Sequence, residues 1–196
     1  AIFMLSLLLV PALGFSLFPE SEKPIITIDI ETEPGSNLSY TDRVVRKVEQ
    51  QLLAFPEIDH ISANAGKGNP RIYYNEFQKQ NSPNFGQIVV YLHEKTKVPE
   101  IIQFAEKARN ELANIPGVRI AVKRFQQGPP ITAPVEMRIL GNNLDTLDQL
   151  SAKIENLVKA RQGTMYVRND LKYVKSDIIV EVDNEKAGLY GINSAE

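Results

Sequence analysis

The chain has 196 residues, 43% of them hydrophobic and 23% charged, with a net charge of -2 and a pI near 5.8. That is a globular balance, which excludes a mainly disordered chain and offers no broad basic surface for nucleic acid. No cysteine is present, so disulfides, thiolate metal sites and thiol redox chemistry are excluded as well.

The first segment stands apart: residues 1–18, AIFMLSLLLVPALGFSLF, carry no Asp, Glu, Lys or Arg. About 20 apolar residues span a hydrocarbon core, so this segment reads as the end of a transmembrane helix or as the core of a signal peptide. The bulky stretch Phe15 to Pro19, where a signal would need small residues for cleavage, favours the spanning helix. Glu20 and Glu22 follow with only Lys23 beside them, not the basic cluster of a cytoplasmic flank, which points to emergence into an outer compartment.

After Pro24, Ile26, Ile28 and Ile30 alternate with Thr27, Asp29 and Glu31, the period of a strand with one buried face. Pro34-Gly35 ends it. From Ser39, with Ser39 and Asp42 spaced as a capping box, Val44, Val45, Val48, Leu52 and Phe55 recur at helical spacing until Pro56. Ile58 to Ala65 reads as a second strand. A connection over 66–86, rich in Gly, Asn, Pro and Gln, then carries Tyr73, Tyr74, Phe77 and Phe85. Connections of that length without secondary structure are usually functional or mobile. Ile88, Val90 and Leu92 mark a third strand. Ile101, Ala105, Ala108, Leu112 and Ile115 mark a second helix, stopped by Pro116-Gly117, and Val118, Ile120 and Val122 mark a fourth strand. The order over 25–124 is βαββαβ, the ferredoxin-like pattern, and the turn at Leu52 to Ile58 echoes that at Leu112 to Val118.

Between two strand-like runs lies Phe125 to Glu136, which concentrates Gly128, Pro129, Pro130 and Pro134. Proline fixes φ and keeps its predecessor out of the helical region, so this segment reads as a stiff, extended hinge between two α+β units. Beyond it the pattern restarts with a strand at Val135, Met137 and Ile139 and a helix carried by Leu147, Leu150, Ile154, Leu157 and Val158. A short strand at Met165 to Arg168 and a further one at Ile178, Val180 and Val182 follow, then a short helix at Glu185 to Leu189. The second unit reads as unfinished, and a βαβ half cannot close its own core.

Enzyme signatures are lacking. His60 and His93 are the only histidines, neither has a second ligand at metal-site spacing, and no Walker, dinucleotide or nucleophile-elbow pattern occurs. The loop after the first strand, Glu33 to Asn37, has no arginine to bind a phosphate as in ferredoxin-like phosphatases. The expectation is a protein without catalytic residues, bound metal or cofactor. The remaining candidate site is the 66–86 connection, where Asn69, Arg71, Tyr73, Tyr74, Phe77 and Phe85 combine flat apolar faces with hydrogen-bonding groups, a mixture suited to amphiphilic small molecules. The alternative is that Phe77 and Phe85 plug the end of the sheet and the rest is solvated loop.

Four segments together resemble the resistance-nodulation-division efflux transporters: Leu17-Phe18-Pro19-Glu20; Thr41-Asp42-Arg43-Val44-Val45 with Val48-Glu49; Gln126-Gln127-Gly128-Pro129-Pro130 with Ala133-Pro134-Val135-Glu136; and Val182-Asp183 with Lys186-Ala187-Gly188-Leu189-Tyr190-Gly191-Ile192. The Gln-Gln-Gly-Pro-Pro run is the most specific and resembles the second of that family's large extracytoplasmic loops. The resemblance implies the end of a transmembrane helix over 1–18, a first porter subdomain over 23–125, the first half of a second over 126–172, and the start of a docking subdomain over 173–196. It further implies an inner-membrane, proton-driven exporter working as a homotrimer with a periplasmic adaptor and an outer-membrane channel, and taking substrate into a cleft between porter subdomains. The proton-coupling carboxylates would lie outside this segment. The scattered Met4, Met137 and Met165 favour hydrophobic or amphiphilic substrates over soft metals relayed through methionines. The rival reading is a secreted or membrane-anchored ferredoxin-like binding module without transport activity.

Overall fold

A computed structural model describes residues 18, 21–130, 133–172 and 183–189. The elements run β1 (Ile25–Thr32), α1 (Leu38–Leu52), β2 (Ile58–Ala65), β3 (Phe85–Leu92), α2 (Val98–Leu112), β4 (Val118–Arg124), α3 (Leu144–Lys159), a 3-10 turn (Asp170–Lys172) and α4 (Asn184–Leu189). Residues 1–17, read as the end of a transmembrane helix, and the strand expected at 178–182 lie outside the described residues. Within them, no helix is long and apolar enough to cross a membrane.

The first four strands form one antiparallel sheet in the order β2-β3-β1-β4. With both helices on one face, this is the ferredoxin-like arrangement expected from the βαββαβ pattern. The register places Ile28 opposite both Ile88 and Val122, so the inward rows of the three strands coincide. Those rows meet Val44, Val45, Val48 and Leu52 of α1 and Ile101, Phe104, Ala105, Ala108 and Leu112 of α2 in a single core. Ile26, Ile28 and Ile30 are fully enclosed, each contributing about 1.5–3 kcal/mol by leaving water. Phe55 and Ile115, at the two echoed turns, pack against the same core.

Local chemistry explains where the helices begin and how closely they sit. The N-cap of α1 is Asn37, whose Oδ1 accepts from the Tyr40 amide at 2.8 Å, two residues ahead of the start suggested by Ser39. Helix α2 opens with Pro99 in its first turn, and the Glu100 carboxylate accepts from the Lys97 amide at 2.7 Å. Helix α1 approaches the sheet at Gly86, where an added Cβ would lie 2.3 Å from Val45 Cγ2. A buried hydrogen bond of 3.0 Å between the hydroxyls of Thr32 and Thr41 ties the same helix to β1.

Strand β2 has a bulge between Ile58 and His60, so that Asp59 faces the same way as its neighbour and its carboxylate meets His60 Nδ1 at 2.7 Å.

The chain divides into two compact units, residues 1–138 and 139–196. In the second, α3 forms as expected, capped by Asn143, whose Oδ1 accepts from the Thr146 amide at 2.9 Å. The strands expected at Val135 to Ile139 and Met165 to Arg168 do not form, and α3 has no buried residue. Among the described residues neither segment has a neighbouring strand to take its backbone hydrogen bonds, so neither is held as a strand.

Candidate functional site

Residues 66–84 fold back across the sheet face that bears no helix. The neck of this loop is closed by the Gly66 amide donating to the Phe85 carbonyl at 2.7 Å and the Ser82 amide donating to the Gly66 carbonyl at 2.8 Å. Its two arms are joined by the Gly68 amide donating to the Lys79 carbonyl at 2.9 Å and by Gln78 Nε2 donating to the Gly68 carbonyl at 2.8 Å. This is a compact, self-packed loop of the Ω kind.

The six residues expected to form a site separate into two groups. Asn69, 4% exposed, is a structural pin. Its Oδ1 accepts from Ser62 Oγ at 3.0 Å and Asn64 Nδ2 at 2.6 Å, its Nδ2 donates to the Gln87 carbonyl at 3.0 Å, and its amide donates to Gln87 Oε1 at 2.8 Å. Phe85, 2% exposed, lies under Lys79, whose ammonium sits 4.1 Å from the ring centre. Tyr73 stacks on the buried Phe125 at 4.8 Å. These three hold the loop to the sheet.

Arg71, Tyr74 and Phe77 face solvent, with Tyr74 54% and Phe77 69% exposed. The Arg71 guanidinium donates to the carbonyls of Tyr73 and Tyr74 and lies 5.3 Å from the Phe77 ring centre. Ile72, partly exposed, adds apolar surface beside them. The space beneath the loop, lined by Thr27, Asn69, Glu76, Gln87 and Phe125 among others, is about 10 Å³. That holds no more than one water, so any ligand of this face meets the outside of the loop.

Charges line the same face. Asp29 accepts from Lys123 Nζ at 2.7 Å and from Gln87 Nε2 at 2.8 Å, and Glu31 accepts from Lys79 Nζ at 3.0 Å. Partial enclosure of the Glu76 carboxyl raises its pKa above the ordinary value, opposed by Lys123 and reinforced by Asp29. Burial lowers the pKa of Lys123, but the adjoining Asp29 carboxylate, with Glu76 and Glu31, turns the net direction upward. Among the described residues, no three His, Cys, Asp or Glu side chains are grouped so as to hold a metal ion.

The loop also reaches the segment read as a hinge, a contact that sequence spacing did not disclose. Asn75 Nδ2 donates to the carbonyls of Gln126 and Gly128, both at 2.9 Å, and the Gly128 amide donates to the Tyr74 hydroxyl at 2.6 Å. Asn75 Oδ1 is buried without a hydrogen-bond partner among the described residues. Two neutral bonds contribute about 1–3 kcal/mol and one orphaned acceptor costs about the same, so the contact is close to balanced. The hinge is also not extended throughout. Gly128 has φ +101°, and an added Cβ there would lie 2.5 Å from Phe18 Cγ. Ser21 donates its amide to the Phe125 carbonyl at 2.8 Å, so the entry to the first unit and its exit run side by side. Pro129, Pro130 and Pro134 are exposed. An asparagine beside two tyrosines in a polar loop has no periodic signature, which is why Asn75 was not legible as a hinge contact.

A four-stranded antiparallel sheet with two helices on one face, followed by the Gly128-Pro129-Pro130 segment, is an α+β unit consistent with the fold of a porter subdomain. The chain belongs to the AcrB/AcrD/AcrF family, whose model matches residues 1–196, and so to the resistance-nodulation-division transporters that its motifs resemble. It is 26% identical, over 92% of its length, to an uncharacterized transporter of Haemophilus influenzae. It is 22% identical, over 94% of its length, to the cation efflux system protein CzcA of Alcaligenes sp. and to the cobalt-zinc-cadmium resistance protein CzcA of Cupriavidus metallidurans. A crystal structure of a heavy metal efflux pump superposes with a TM-score of 0.61 at 19% identity, over 99% of this chain and 21% of that one. The chain spans 17–18% of the length of these curated relatives.

Proposed function

We propose that the chain is part of the porter region of an inner-membrane, proton-driven efflux transporter, in which residues 23–125 form one porter subdomain, 126–172 open a second and 173–196 begin a docking subdomain. The observation that carries this reading is the complete ferredoxin-like unit leading into the Gly128-Pro129-Pro130 hinge, in a chain whose whole length matches the family. The transporter would work as a homotrimer with a periplasmic adaptor and an outer-membrane channel, and segment 1–18 would anchor this loop to the membrane.

For the substrate, the outer surface of the loop supports hydrophobic or amphiphilic molecules. Ile72, Tyr74 and Phe77 supply apolar area and Arg71 supplies a cation beside it, a combination that fits a molecule with an apolar body and an acidic or polar head. A second reading is favoured by the names of the relatives, two of which are cation exporters, and it would make divalent transition metals the cargo.

Expression of the complete gene in a host lacking its own exporters separates the two, with ethidium and Zn²⁺ accumulation measured in parallel. Ethidium exclusion supports the amphiphile reading, and Zn²⁺ exclusion without it supports the cation reading. Exclusion of neither, with the protein expressed in the membrane, would leave the binding-module alternative.

A further inference from the structure

We propose that Tyr74 and Asn75 form a releasable latch that holds the start of the hinge to the loop, so that the seating of the loop on the sheet and the direction in which the chain leaves the first unit are set together. The latch rests on three bonds. Asn75 Nδ2 bridges the carbonyls of Gln126 and Gly128, and the Gly128 amide is held by the Tyr74 hydroxyl. The orientation of the Asn75 amide follows from chemistry, because two carbonyl acceptors can be met only by its NH₂ end. That leaves Oδ1 buried and, among the described residues, unpartnered, which offsets the two bonds and makes the contact easy to exchange for another.

On the loop side the latch is anchored firmly. Tyr73, next to Tyr74, stacks on Phe125, and Asn69 binds Gln87 in the sheet. On the hinge side the chain turns at Gly128, with its positive φ, before Pro129 and Pro130 restrict it. The short stretch from the firm seat at Phe125 through Gln126 and Gln127 to the turn at Gly128 is therefore what the latch holds. Tyr74 serves both surfaces: it is more than half exposed while its hydroxyl holds the hinge. A molecule that stacks on the ring and shifts it also frees the Gly128 amide. This step rests on the substrate surface proposed above, but the latch itself does not.

The first test is site-resolved amide hydrogen exchange at Gly128 in the whole chain. Tyr74→Phe keeps the ring and removes the acceptor. Asn75→Asp keeps the shape and removes the donor. Each is expected to raise exchange at Gly128 roughly three- to tenfold, with the amides of Ile28 and Val90 in the sheet unchanged. Unaltered exchange at Gly128 in both variants would overturn the latch. So would acceleration spread equally through the sheet, which would mean a general loss of stability.

The second test is export by the complete transporter, with ethidium and Zn²⁺ each as probe. Because a molecule that shifts the ring must break the bond from the Gly128 amide, the latch predicts that Tyr74→Phe lowers the half-saturating concentration as well as changing the maximal rate. A raised half-saturating concentration with an unchanged maximal rate would assign Tyr74 to substrate contact alone, and native behaviour in both would leave its hydroxyl without a role in export; either result would overturn its coupling to the hinge. If the native transporter exports neither probe, the transport reading fails, and the exchange experiment still decides the latch.

Discussion

Replacing Asn69 with alanine removes three side-chain hydrogen bonds, those with Ser62 Oγ, Asn64 Nδ2 and the Gln87 carbonyl, from a residue that is 4% exposed. Ser62 is exposed and rehydrates, whereas the Gln87 carbonyl loses a partner in a half-buried position on the central strand β3. At about 1 kcal/mol for each bond, less what the rehydrated Ser62 recovers, the loss is about 2–3 kcal/mol. Urea denaturation followed by far-UV circular dichroism would show this as a fall in midpoint of about 1 M at an unchanged slope. Asn69→Asp is the discriminating partner. It keeps the acceptor for Ser62 and Asn64 but sets a carboxylate against the Gln87 carbonyl, so at neutral pH it should be no more stable than the alanine variant. It should recover part of the loss in acid, where the carboxyl regains a proton to donate. A loss below about 0.5 kcal/mol for Asn69→Ala, or an aspartate variant more stable than alanine at neutral pH, would refute the pin.

Gly128→Ala should destabilise more than Gly35→Ala: both positions have positive φ, costing about 1–2 kcal/mol, but a Cβ at Gly35 meets nothing within 4 Å whereas at Gly128 it meets the Phe18 ring. Equal losses in thermal unfolding would remove the Phe18 contact from the account. Glu76→Gln should raise the thermal midpoint near pH 7 and leave it unchanged near pH 4. Because the folded carboxyl has a raised pKa, its stabilisation is full below its ordinary value of 4.5 and is lost as pH rises through the folded value, a loss that glutamine cannot suffer. A midpoint difference that is larger at pH 4 would contradict that sign. In the complete transporter, replacing Pro129 and Pro130 together with glycine should impair export by loosening the hinge, and unchanged export at equal expression would leave these prolines without a mechanical role.

The alternation of Ile26, Ile28 and Ile30, the helical spacing from Val44 to Leu52, and the Pro-bearing turns were sufficient by themselves to determine the βαββαβ order, because each depends only on neighbours within a few residues. The family was legible for a similar reason, since Gln126 to Pro130 forms a contiguous run. What only the tertiary structure decided depends on contacts between distant residues. Asn69 meets Gln87 and Asn75 meets Gly128, turning a loop that read as a single candidate surface into a strap with a buried side, a solvent side and a grip on the hinge. The unformed strands at Val135 to Ile139 and Met165 to Arg168 show the same limit from the other direction. Their alternation is present in the sequence, but pairing requires a neighbouring strand, and alternation cannot supply one.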